Sequence, residues 1–511
     1  MFFSKFKILQ ILFNRIKIQD IIIFKINERK KSIYTEELIY RTPEIRDIKI
    51  DIIRYYLKRL KLNRSYRNHL FNYLYQVDPK IYKMACLIKY LSDKRQKVDV
   101  ISAQFLTKED LTIFQQFNLK IEKIKQLKIK IKPNLNLIPM ILSLRNKKKQ
   151  YKKLKEVFSN EKSKFNPEIK YKVMLRAKMK HFENIYLNKL DKSLDSTIIY
   201  LDPSLTSLTF RQKEYIKYLK QNKSDFFFYI PKINYYQSFK AGLRICFSFF
   251  PKEFKTSLFR VLIQRREIDD LIINLKKNFP YIQEFYTGNK IYFGATYLNE
   301  RLKEIRIKTI NFSHGLGLAC PYVNYDIFYV FSKMQRNYYL GTSTFKYFIL
   351  KLSKKKKEDI GNKKLALFFV GQTLLFDPSL KLASTYKKVI SFIEKISSDL
   401  KIPTYAKYHP GSTEKDKILS DKINIVDKIE DLPSNYKYLA VTLYSTYVVE
   451  LLNLMPFIII NPQEKMNMRY YFPNKNAVYT KNYQELYNKV NKLMKSSNYY
   501  IEYWNEIISH Y

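Results

Sequence analysis

From Ser196 onward the chain alternates short runs of β-branched and aromatic residues with helical stretches of ten residues or so. Predicted strands are TIIYLD (197–202), DFFFYIP (225–231), KIYFGA (290–295) and KTINFSHG (308–315). Between them, TFRQKEYIKYLKQ (209–221) and TYLNERLKEI (296–305) carry helical periodicity. A second block begins at LALFFVGQ (365–372), followed by a predicted helix over 384–400 and strands TYAKYHP (404–410), INIVD (423–427) and YLAVTLYS (438–445). Helix TYVVELLNL (446–454) and strand FIIINP (457–462) close it. Strands that alternate with crossover helices form parallel sheets, so the expected class is α/β.

The lysine-rich connector 351–364 separates the blocks and sets the expected boundaries. Residues 191–350 and 365–490 are two Rossmann-like domains facing a cleft, with a C-terminal helix over 491–511. Residues 1–190 are a helix-rich elaboration or part of the first of these domains. They hold one helix–strand unit, YKMACLIKYL then KVDVIS, and a lysine-dense stretch, Arg145–Lys155. No internal repeat is present.

Glycine marks where the backbone needs special geometry. The chain has nine, and eight of them lie within 288–411. Glycine permits positive φ and close backbone approach to a ligand, so the ligand-bearing turns are expected in the C-terminal half.

In open α/β sheets ligands sit beyond the carboxyl ends of the strands, and four motifs end predicted strands. These are VGQT (Val370–Thr373), YHPG (Tyr408–Gly411), LYST (Leu443–Thr446) and SHGLG (Ser313–Gly317). Gly371 and Gln372 belong to the first of these. Ser445 and Thr446 would cap a helix entered directly from a strand, offering hydroxyls and free N–H groups to a phosphate. Glu450, one turn on, would reach a sugar hydroxyl. His409 is one of only five histidines. Pro410 would stop its strand and Gly411 free the turn, presenting the imidazole to a phosphate as hydrogen-bond donor or general acid. His314 sits in a similar setting with Ser313, Gly315 and Gly317. The ordinary alternatives are an N-cap and satisfied surface histidines; the shared strand-end position of the motifs outweighs them.

Other classes are excluded by what is missing. No GxxxxGK[ST], HExxH or GxSxG motif occurs, and HGLGLAC departs from a dinucleotide fingerprint at Cys320. No Asp-x-Asp pair is present to hold a divalent metal, so neither metal nor cofactor is expected. Three scattered cysteines, Cys86, Cys246 and Cys320, fit a reducing cytoplasm rather than a disulfide framework. Lys and Arg number 94 against 46 Asp and Glu, a formal charge of +48. That surplus suits anionic partners, but it is spread along the chain, and the basic tracts lack the pattern of an RNA-recognition domain. No specific nucleic acid is expected. The first residues, MFFSKFKILQILFNRIKIQ, lack a cleavage pattern and alternate apolar with basic side chains, as a helix docking on an anionic membrane would. Apolar runs fall short of the roughly 18 residues of a spanning helix.

LALFFVGQTL, then KYHPG, then LYSTYVVELL resembles the C-terminal half of bacterial sialyltransferases and polysialyltransferases, which build capsules and lipooligosaccharides. The match runs over Lys303–Pro462. The resemblance implies a metal-independent GT-B-like enzyme of two Rossmann-like domains that binds CMP-sialic acid. His409, Ser445 and Thr446 would hold the nucleotide phosphate, and Gly371 and Gln372 would line the cleft. Where that family carries an acidic pair before a glycine, this chain has Ser313-His314-Gly315, and His314 would supply the base. The same segment looks like Kdo transferases and polyol-phosphate polymerases of similar build.

The expectation is therefore an inverting glycosyltransferase with a nucleotide-sugar donor and a glycan or lipid-linked acceptor. It would be cytoplasmic and peripheral at the inner membrane face. A CDP-polyol phosphotransferase or Kdo transferase of the same architecture is the first alternative, and a non-enzymatic polybasic membrane or nucleic-acid binder the second. The sequence sets no oligomeric state.

Overall fold

The structure is a computed structural model. It describes residues 21–26, 29–34, 43–60, 62–94, 98–103, 105–126, 137–157, 164–177, 196–201, 216–221, 224–229, 234–246, 252–288, 294–312, 321–330, 333–339, 354–371, 382–408, 423–443, 445, 447–460 and 478–509.

The first part combines a small sheet with helices. Strands β1 (Ile21–Ile26) and β2 (Arg29–Tyr34) form an antiparallel hairpin, and β1 also pairs antiparallel with β3 (Val98–Ala103). Helices α1 (Pro43–Lys58), α2 (Arg64–Val77) and α3 (Pro79–Lys94) intervene. Helix α4 (Leu111–Gln116) then leads to β4 (Ile121–Gln126), parallel to β3, and helix α5 spans Leu137–Val157. Asn63 caps α2, its side chain accepting from the Tyr66 N–H at 2.9 Å, which satisfies a donor the helix itself cannot.

The second part is a fully parallel six-stranded sheet in the order β10-β9-β8-β5-β6-β7. Its strands are β5 (Val173–Ala177), β6 (Thr197–Leu201), β7 (Phe226–Phe228), β8 (Glu284–Thr287), β9 (Lys308–Phe312) and β10 (Ile327–Tyr329). Helices α6 (Tyr235–Cys246), α7 (Lys252–Asn278), α8 (Ala295–Glu304) and α9 (Lys333–Tyr338) accompany it. Counted within the unit, the strands run 3-2-1-4-5-6, the Rossmann order. The sheet thus takes its first strand from before position 191.

Helix α7 joins the first two parts. Phe254, Leu258, Phe259, Val261 and Ile263 enter the core of the helix-rich part. Further along, Ile268, Leu271, Ile272 and Leu275 cover one face of the parallel sheet. Each such burial is worth about 1.5–3 kcal/mol, and one helix supplies both cores. The junction of α2, α7 and α8 is polar. The Arg265 guanidinium lies 3.9 Å from the Tyr66 ring centre and 3.4 Å from that of Tyr297, and it donates to Ser65 Oγ at 2.9 Å.

The third part repeats the topology. Its strands are β11 (Lys364–Val370), β12 (Thr404–Lys407), β13 (Asn424–Ile425), β14 (Tyr436–Thr442), β15 (Phe457–Ile460) and β16 (Tyr479–Thr480). All are parallel, in the order β13-β12-β11-β14-β15-β16, again 3-2-1-4-5-6. Helix α10 (Leu382–Leu400) crosses from β11 to β12, and α11 (Tyr447–Glu450) follows β14. Helices α12 (Tyr483–Lys495) and α13 (Ser497–Ile508) close the unit. Helix α13 locks on through polar tips: Tyr503 Oη donates to the Phe457 carbonyl at 2.6 Å, and Trp504 Nε1 to that of Leu452 at 2.9 Å. The described end of the connector docks on α13 as well, with the Lys355 N–H donating to Asn505 Oδ1 at 2.7 Å and Asn505 Nδ2 to the Lys355 carbonyl at 3.0 Å.

Two predicted elements differ from those observed. Of the strand expected at 290–295, residues 290–293 lie outside the described residues, and at its end Gly294 is the N-cap of α8 and Ala295 begins that helix; a strand lies at Glu284–Thr287. The described strand Glu284–Thr287 lies in register with β5 and β9. The helix expected to reach residue 454 is α-helical only to Glu450 and then tightens to a 3₁₀ turn over Leu451–Asn453. The N–H groups of Leu454 and Met455 both bond the Leu451 carbonyl, at 2.7 and 2.9 Å, and Pro456 cannot extend the ladder.

Candidate functional site

Strand β11 has β12 on one side and β14 on the other. The chain leaves β11 in one direction and later returns on the opposite side, so a crevice opens beyond the carboxyl ends of β11 and β14. Three described residues build its floor: Gly371, Thr442 and Ser445.

Gly371 directly follows β11. Its N–H donates to the Lys407 carbonyl at 2.9 Å, pinning the end of β11 to the end of β12. A Cβ at this position would lie 2.9 Å from Tyr386 Oη and 3.2 Å from Lys407 O. Glycine here leaves room for the Tyr386 hydroxyl and the close Lys407 carbonyl. Tyr408, half-buried, is the last described residue after β12, and His409 is the next residue in the chain.

Thr442, fully buried at the end of β14, ties β14 to β11. Its Oγ1 donates to the Val370 carbonyl at 2.9 Å and accepts from the Ser445 N–H at 3.0 Å. The Ser445 hydroxyl accepts in turn from the Tyr447 N–H at 3.3 Å. Ser445 is buried and holds the entry to α11 in the manner of an N-cap. Helix α11 is four residues long, so its macrodipole adds little, and the Ser445 and Tyr447 N–H groups are both engaged within the turn.

Of the residues singled out from sequence, the structure brings Gly371 and Ser445 to one crevice, and it adds Thr442. A hydroxyl inside the apolar run YLAVTLYS was the available signal for Thr442. Glu450 closes α11, and its side chain lies outside the described residues. So do Gln372, His409, Pro410, Gly411 and Thr446, and on the first sheet Ser313, His314, Gly315 and Gly317. That second group follows Phe312, the last residue of β9.

Among the described residues no three His, Cys, Asp or Glu side chains stand together as metal ligands would, and no helix is long and apolar enough to cross a membrane. The predicted amphipathic segment 1–19 lies outside the described residues.

Two tandem α/β units of Rossmann order, with a helix-rich N-terminal part, make a GT-B-like architecture. No protein-family model matches the chain, and no curated protein matches it. Solved structures similar to it include MurG of Acinetobacter baumannii, at 11% identity and a TM-score of 0.37, covering 66% of this chain and 95% of that one. A glycosyltransferase of Rickettsia africae gives 13% identity and 0.37, covering 66% and 93%. A putative UDP-N-acetylglucosamine 2-epimerase of Listeria monocytogenes gives 12% and 0.37, covering 67% and 91%. The fold assignment rests on the strand order of the two sheets.

Proposed function

We propose that the protein is a metal-independent, inverting glycosyltransferase whose donor is a nucleotide-activated acidic sugar, CMP-linked. The observation that carries this reading is the crevice between β11 and β14. There a glycine whose Cβ would crowd the Tyr386 hydroxyl and the Lys407 carbonyl stands beside a buried Thr442–Ser445 turn, and the histidine of KYHPG comes two residues after β12. The motifs that resemble the sialyltransferase family end these same strands.

In this reading the phosphate lies over Gly371 and the Ser445 turn, with His409 donating a hydrogen bond to it. His314 accepts the proton of an acceptor hydroxyl as its oxygen bonds to the anomeric carbon. The bond from that carbon to the phosphate oxygen breaks, and CMP leaves with the electron pair, its charge met by His409. The acceptor is a glycan or a lipid-linked glycan. The chain's surplus of basic residues supports work at the inner membrane face, on anionic material.

Thermal melting with CMP, CDP, UDP, GDP and their sugars, without metal, tests this directly, because a ligand of the folded state raises the melting temperature with its concentration. A shift specific to CMP compounds and absent in His409→Ala is the expected result. His409→Ala should also cut turnover about 100-fold or more with its unliganded melting temperature unchanged. A preference for CDP-polyols or UDP-sugars would keep the fold and reassign the donor. A fully active His409→Ala enzyme would remove the assignment.

A further inference from the structure

Helices α5 and α6 lie side by side on α7. Along α5, Ser143 Oγ accepts from Arg260 Nε at 2.9 Å and the Tyr151 hydroxyl donates to Glu267 at 2.6 Å, so α5 runs parallel to α7. Along α6 the order reverses. Ser238 Oγ accepts from Arg266 Nη1 at 3.1 Å, and a Cβ on Gly242 would come within 2.9 Å of the Phe259 ring. The first turn of α6 therefore meets the later turns of α5, where Lys148 Nζ stands 5.9 Å from the centre of the Tyr235 ring. Met140, Leu144 and Ile245 enter the core beneath, so the opposite face of both helices is turned away from α7.

That outer face carries apolar side chains where a solvated face would be polar. Ile141 is 42% exposed, Leu142 39%, Tyr236 75% and Phe239 38%. Among the described residues eight large apolar side chains are exposed, so half of them fall on these two neighbouring helices. Tyr236, Phe239 and the half-buried Leu243 follow one another at i, i+3 and i+7, one stripe of α6. Single exposed apolar residues are ordinary, whereas a group of them marks a contact surface.

Charge on this face has one sign. Arg145, Lys148, Lys149 and Lys152 of α5 are exposed, as are Lys240 and Arg244 of α6. No Asp or Glu occurs between Leu137 and Lys155 or along α6. Ile141, Arg145, Lys148 and Lys152 are spaced i, i+4, i+7 and i+11, so the cations of α5 continue the stripe that Ile141 begins. Because α6 runs the other way, Tyr236 and Phe239 lie toward the far end of that stripe. Cations thus stand between two apolar pairs. The basic surplus of the chain is spread widely, but here it coincides with exposed apolar side chains. Phosphate groups of a nucleic acid would leave Ile141 and Leu142 nothing to bury, whereas the boundary of an anionic bilayer takes both kinds of side chain.

We propose that the outer face of α5 and α6 docks on an anionic lipid bilayer. Ile141, Leu142, Tyr236 and Phe239 enter the headgroup region, and the surrounding lysines and arginines meet lipid phosphates. Charge draws the face to the membrane and is screened by salt; apolar burial then holds it there at short range. Neither term is large alone, so binding needs both. The inference deepens the transferase reading by naming the surface that would meet the membrane, and it rests on that reading for its purpose but not for the binding itself.

The test is co-flotation of the full chain with vesicles of phosphatidylcholine alone or mixed with phosphatidylglycerol, over a range of NaCl concentrations. The wild type should float with the mixed vesicles, less so as salt rises, and not with phosphatidylcholine alone. Tyr236→Ser with Phe239→Ser should weaken binding about tenfold or more, and so should Arg145→Glu with Lys149→Glu. All four side chains are exposed, so the melting temperatures should stay at the wild-type value; Tyr236→Ser alone, at the most exposed of them, gives the same direction with the least disturbance. Lys363→Glu with Lys401→Glu, an equal charge change at exposed positions of the C-terminal unit, should leave binding as it was. The docking face is overturned if the wild type ignores anionic vesicles, if binding survives the Tyr236 and Phe239 changes, or if the Lys363 and Lys401 changes weaken it equally. An RNA that displaces the vesicles and binds through the same residues would reassign the face to nucleic acid, and self-association lost in the Tyr236 and Phe239 variant would reassign it to a second copy of the chain. The melting response to CMP in free solution should persist in every variant. Vesicle binding without a CMP response would sink the transferase reading alone, and a CMP response without vesicle binding would sink this inference alone.

Discussion

The two parallel sheets share one strand order and differ at their carboxyl rims. In the C-terminal sheet the rim is closed by its own atoms. Thr442 bridges two strands, Ser445 caps the turn, and Gly371 leaves room for backbone alone. In the first sheet the rim carries long polar side chains, and Asn311 has no partner among the described residues. The C-terminal rim is therefore a floor whose described N–H groups at Gly371, Ser445 and Tyr447 are already engaged, whereas the first rim leaves a buried side-chain amide without a partner among the described residues. Topology puts a crevice in both units, and the residues at the strand ends decide what each crevice can hold.

The largest expected effect breaks the closed rim. Thr442→Val keeps the volume but leaves the Val370 carbonyl and the Ser445 N–H unpaired in the interior, so the C-terminal unit should lose about 2–3 kcal/mol. Chemical denaturation followed by Trp504, the chain's one tryptophan, reads that unit selectively. Asn311→Leu in the other rim should move stability in the opposite direction. Two losses of equal size would mean that both rims are internally satisfied, and the comparison would fail.

A smaller effect separates the units by pH. His69 in α2 is fully buried, with Nε2 2.8 Å from Gln264 Oε1 on α7. Burial, with Arg265 adding to it, lowers its pKa to about 3 despite the Gln264 bond. The folded state thus resists a proton that the unfolded chain accepts below about pH 6.5. Stability from this site is complete above that pH and is lost as pH falls toward 3, at about 1.4 kcal/mol per unit. Between pH 6.5 and 5 the transition of the first two parts should weaken by about 2 kcal/mol, and His69→Gln should flatten that slope. The C-terminal transition should hold over this window; if both move together, the two cores are coupled.

Much of the fold was legible because buried parallel strands read as unbroken apolar runs. LALFFV and FIII are of this kind, and both fall in observed strands. Strands that carry the first sheet's rim were harder to see. Arg176 interrupts VMLRA, and EFYT is short and half polar, so β5 was not recognised and β8 was displaced to a neighbouring apolar run. Polarity that serves a rim is the same polarity that hides the strand. The site was legible where a rare residue type stood at a strand end, as Gly371 does. It was not legible where a common residue becomes unusual only through burial, as with Asn311 and Thr442.

The smallest expected effects ask whether the two regions unfold as one. Among the described residues, the core around the C-terminal sheet draws on Ile360 to Ile508 and the other cores on Ile45 to Tyr339. Each side has a matched helix cap. Asn63 accepts from the Tyr66 N–H at 2.9 Å, and Asn482 accepts from the Glu485 N–H at 2.9 Å. Removing either by substitution to Ala should cost about 1 kcal/mol. In calorimetry Asn63→Ala should lower only the transition of the first two parts, and Asn482→Ala only that of the C-terminal unit. Asn482→Ala should cost slightly less if the Glu485 carboxylate, which accepts from the Lys481 N–H at 2.8 Å, keeps the chain entry in place. Two independent shifts would mean that cores with no residue in common fold alone, leaving bound ligand as the means of coupling them. A single transition lowered equally by both caps would mean that the rims already sit in one cooperative body, and that the contrast between them concerns chemistry and not stability.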